Sequence, residues 1–71
     1  MSVPELYRIA VAITSRLEQM HPNDPIGLIR AKGALATKTG FLVSLISPHD
    51  PDDSEKIACL RKAAVEMGIA L

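Results

Sequence analysis

Two histidines stand where a metal ion or a catalytic base would first be sought. His21 lies three residues before Asp24, and His49 is followed by Asp50, Asp52 and Asp53. A metal site needs three or four converging ligands. A continuous helix between the two loops would hold them at opposite ends of the domain, so they would meet only in an antiparallel pair of chains. The simpler reading of both clusters is polar loops whose carboxylates cap helices. The run Asp50-Pro51-Asp52-Asp53-Ser54-Glu55 is not a calcium loop, because the turn glycine and the twelfth-position glutamate are missing. Cys59, the single thiol, has no histidine near it in sequence and reads as a buried structural cysteine rather than a nucleophile. There is no glycine-rich phosphate loop and no carboxylate pair at a catalytic-looking spacing. No catalytic or metal-binding residue and no cofactor is assigned, and the chain reads as a non-enzyme whose sequence names no reaction.

The remaining distinctive residues are glycines. Gly33 and Gly40 lie seven apart, with Ala36 and Thr37 between them. On one continuous helix they would form a small-residue row that admits a second helix at close range; otherwise they end or kink the helix.

The elements that position these residues read as helices. Ser2 and Glu5 form a capping-box pair, with Pro4 in the first turn. Val3, Leu6, Ile9, Ala10, Ile13, Leu17 and Met20 then recur at helical spacing. His21-Pro22 stops the helix, since a residue before proline avoids the helical region. Pro22-Asn23-Asp24-Pro25 is a loop followed by a helix start, with Asp24 as cap and Pro25 in the first helical position. The same device returns 26 residues on, at Pro48-His49-Asp50-Pro51. These four-residue loops are similar to those joining helices in tetratricopeptide repeats and in some secretion-needle hairpins. The tetratricopeptide period is about 34 residues, however, and neither family is assigned.

From Pro25 to Ser47 two apolar rows align on one helix. Leu28, Ala31, Leu35, Leu42 and Leu45 make one; Ile26, Ile29, Gly33, Ala36, Gly40 and Val43 make its neighbour. This agreement predicts a continuous helix, kinked near Thr37 to Gly40. A break at Gly40 would instead leave Phe41 to Ile46 as a short strand, with only Ile69-Ala70-Leu71 to pair with it, and an isolated pair is marginal. The third helix is placed after Asp50, with Asp52, Asp53 and Glu55 in its first turn. Ile57, Leu60, Ala64 and Met67 form its stripe, and Gly68 and Ile69 close it. The expected fold is all-α: a small three-helix bundle over 3–20, 25–47 and 51–67, forming one helical domain across residues 1–71.

Composition turns this shape toward association. The chain has 71 residues, zero formal net charge, 48% apolar residues and only two aromatics, Tyr7 and Phe41. That excludes a disordered tail and a disulfide miniprotein. Mean hydropathy is +0.20, high for so short a chain. Single cores below about 70–80 residues seldom give more than about 3–5 kcal/mol, and oligomerisation is one remedy. No run of about 20 apolar residues exists to span a membrane, and the N-terminus lacks the basic region of an export signal. A cytoplasmic protein is expected. Residues 25–47 carry Arg30, Lys32 and Lys38 with no acid, whereas residues 50–71 sum to −2. A nucleic-acid reader would offer polar donors at the start of its recognition helix, but Phe41 to Ile46 offers only Ser44 and the third helix opens on acids.

The expected function is a helical protein–protein interaction or assembly module, homodimeric or docked to a protein partner. Leu28, Gly33, Leu35, Gly40, Leu42 and Leu45 are its interface residues. Basic residues of the second helix would pair with the acidic start of the third in another chain. Two alternatives remain: a helix-turn-helix-like DNA-binding regulator dependent on Arg30, Lys32 and Lys38, and a metal- or small-ligand-binding domain using both histidine loops.

Overall fold

The computed structural model describes residues 3–71. The described residues form three α-helices and one short 3₁₀ turn, with no strand: α1 Glu5–Met20, α2 Pro25–Thr39, the 3₁₀ turn Val43–Leu45 and α3 Ser54–Glu66. The fold class is therefore all-α, as the periodicity implied.

Helix α1 supplies half of the core. Leu6, Ile9, Ala10, Ile13 and Leu17 are buried, the i, i+3, i+4, i+7 stripe of an amphipathic helix. The proposed cap at Ser2 lies outside the described residues. Pro4 is the N-cap, without a side-chain cap bond from its own position. A distant carboxylate serves instead: the Leu6 N–H donates to Asp52 Oδ1 at 3.0 Å. At the other end the His21 N–H donates back to the carbonyls of Leu17 and Glu18, and Pro22 prevents continuation.

Helix α2 begins as its sequence implies. Asp24 accepts the Gly27 N–H at 3.0 Å, and Pro25 occupies the first turn, where its missing donor costs nothing. Its end differs from expectation. The helix stops at Thr39, where Gly40 takes φ +81° and donates its N–H to the Ala36 carbonyl at 2.8 Å. Left-handed geometry is open to glycine without a Cβ penalty. Thr39 is buried, and its Oγ1 lies 2.9 Å from the Leu35 carbonyl oxygen and 3.0 Å from that of Phe41. The hydroxyl thus anchors the turn from within. The continuous helix over 25–47 is overturned, and so is the strand alternative. Residues 43–45 form a 3₁₀ turn, in which positions three apart eclipse. Val43 and Ile46 consequently turn inward, and Leu42 and Leu45 outward.

Helix α3 starts at Ser54, three residues later than the Pro51 start expected. Asp53 is its cap, accepting the N–H groups of Glu55 and Lys56 at 3.0 and 3.2 Å. Asp50 is committed to its own turn through the Ser47 N–H at 2.8 Å, and Asp52 to α1. Only Glu55 of the acids lies in the first turn of α3. The second Pro-x-Asp-Pro therefore resembles the first in letters but not in structure. At the C-terminus Gly68 (φ +74°) donates to Val65 and Ile69 donates to Ala64 at 2.8 Å. This paired pattern ends the helix and buries Ile69 against the core.

One core joins the elements: Leu6, Ile13, Leu17, Leu35 and Leu60 are its fully buried large side chains. Exposed ion pairs, Arg61 to Glu5 at 2.8 Å and Lys38 to Glu66 at 3.2 Å, tie α3 to α1 and α2. Each is worth about 0–1 kcal/mol at such exposure. No helix among the described residues is long and apolar enough to cross a membrane.

Candidate association surface

Asp52 binds the first turn of α1, whereas His21 follows its last turn. Along a helix of 16 residues those points lie about 22 Å apart at 1.5 Å per residue. His49, three residues from Asp52, belongs to the far end, so the two histidines do not converge in one chain. His21 Nδ1 instead lies 3.6 Å from Asp24 Oδ2, and no group of three or more His, Cys, Asp or Glu suited to a metal ion occurs among the described residues. The acids at the start of α3 are occupied as described, accepting backbone N–H groups in three separate turns. Cys59 is exposed rather than buried, because α3 turns Leu60, Ala63 and Ala64 inward instead.

Among the described residues, four of the nine exposed large apolar side chains lie on α2 and around the 3₁₀ turn; Val3, Val11, Met20, Val65 and Leu71 lie elsewhere. Ile26 is 65% exposed and Ile29 70%. They are three apart and so share a face, on which Gly33 follows Ile29 by four. A Cβ on Gly33 would meet nothing within 4 Å, so no contact within the chain requires a glycine there. Gly33, Leu35 and Ala36 also line a hollow of about 120 Å³ with Leu42, Val43, Ser44, Thr14 and Lys32. Leu42, 58% exposed, lines it from the segment after α2, and Leu45, three residues on, is 72% exposed. Ile26 and Ile29 thus share a helix face with Gly33, which borders the hollow that Leu42 lines from the other element. Arg30 and Lys32 are its nearby charges, and no acid occurs from Pro25 to His49.

The six residues singled out from sequence divide into three groups. Leu42, Leu45 and Gly33 lie on this surface. Leu35, 1% exposed, belongs to the chain's own core and forms only the floor of the hollow, and Leu28 packs half-buried against that core. Gly40 is exposed but ends α2, so it continues no row with Gly33. Ile26 and Ile29 were assigned to the neighbouring row, yet they are the outward one. Both rows are apolar, though the inward one carries the leucines and the outward one two glycines, and periodicity alone does not say which faces in. A polar residue would have marked the wet side; none interrupts either row before Thr37.

Helix α2 is also the element that a helix-turn-helix reading would place against DNA. A four-residue loop joins it to α1, as in a helix-turn-helix, but its first exposed turn presents Ile26 and Ile29 where base-reading donors belong. No family model matches the chain, and comparison with curated proteins and with solved structures found no match.

Proposed function

We propose that this chain is a non-catalytic helical association module that pairs with a second copy of itself through the α2–3₁₀ face. The observation that carries the reading is that Ile26, Ile29, Leu42 and Leu45, on α2 and the segment after it, are all more than half exposed, with Leu42 lining an apolar hollow beside Gly33. A fully buried side chain of this kind contributes about 1.5–3 kcal/mol, which is large beside the stability of a core this small. The apolar share of 48% in a chain of only 71 residues supports a second copy as the occupant, since oligomerisation is one common remedy for a core this small. The reading places the module in the cytoplasm, where a reducing environment suits an unpaired thiol.

The test is molar mass by light scattering behind a sizing column, over a dilution series and at two salt concentrations. A dimer is expected. Because the rim of the face is basic, salt should leave pairing unchanged or tighten it by screening Arg30 and Lys32 of one copy from those of the other. A monomer at every concentration would overturn the reading. Capture of an acidic protein or of nucleic acid by that monomer, loosened by salt, would then put a different occupant on the face.

A further inference from the structure

We draw no further inference here: the strongest candidate, the apolar hollow between α2 and the 3₁₀ turn that Lys32 and Ser44 line together with Leu35 and Val43, belongs to an exposed apolar face, and nothing in the structure shows what covers that face.

Discussion

Asp52 belongs to no helix, yet it completes one. Its carboxylate accepts the Leu6 N–H across 46 positions of sequence, supplying from a distant loop the acceptor that a helix start normally takes from the residue just before it. Beside it, Arg61 of α3 bonds Glu5 of α1, so both contacts hold the same end of the bundle. Asp52→Ala should therefore lower stability by about 1 kcal/mol, the usual worth of a helix cap. Urea unfolding should show this as a lower midpoint with an unchanged slope. An effect within about 0.3 kcal/mol would mean that water replaces the carboxylate fully. The sequence assigns these acids to the start of the third helix, because Asp, Pro and Glu there carry that meaning locally; Asp53 does so, Asp52 serves α1 instead, and Asp50 closes its own turn. It did not show which end each one serves. Asp50, Asp52 and Asp53 are chemically alike and adjacent, and only the path of the chain sends them to three different turns. The exposure of Cys59 escaped for a similar reason, since Ala58, Cys59, Ala63 and Ala64 are all small enough to face either way.

At the scale of elements, α1 was the most legible because its polar residues, Arg8, Ser15, Arg16, Glu18 and Gln19, separate wet from dry. Helix α2 lacks that contrast, and its two aliphatic rows run on in register past Thr39. That continuity favoured an unbroken helix, and it was overridden by Gly40. Once the glycine is left-handed, the following residues repeat every three rather than every 3.6, and Val43 and Ile46 reach the core from a 3₁₀ turn. Position 40 consequently gives a prediction of definite sign. In a continuous helix, Gly40→Ala would stabilise by up to about 1 kcal/mol through helix propensity. With φ at +81° the same change should destabilise by about 1–2 kcal/mol, the cost of left-handed backbone for a residue with a Cβ. Thermal and urea unfolding of this one variant distinguish the two, and a gain in stability would restore the long helix. The broken helix also changes what the face can do. Leu42 and Leu45 would have extended α2 as a straight ridge; the turn instead sets Leu42, Val43 and Ser44 across from Gly33 and makes a recess between the two elements.

For the whole molecule the question is whether 71 residues hold their fold alone. The core contains eleven buried apolar residues, three of them alanines, and four large aliphatic side chains are left outside it on one face. A chain that buries them against a copy couples folding to association, and its stability then depends on concentration. Each tenfold rise in protein concentration shifts a dimer's folding equilibrium by about 1.4 kcal/mol, or about 0.7 kcal/mol per chain. For a domain of this length, 1 kcal/mol moves Tm by about 4–8 °C, so Tm should climb by about 3–6 °C per tenfold concentration. Val65 and Leu71 are exposed as well, but they flank a separate hollow. Leu45→Ser should flatten the concentration dependence while Val65→Ser should not. A wild-type Tm constant across two decades of concentration would mean that the three helices are self-sufficient and that Ile26, Ile29, Leu42 and Leu45 contribute nothing to folding. A slope shared equally by both variants would move the interface off α2. The predicted pattern, a slope present in the wild type and lost only with Leu45, ties an aliphatic side chain on a three-residue turn to the stability of the entire fold.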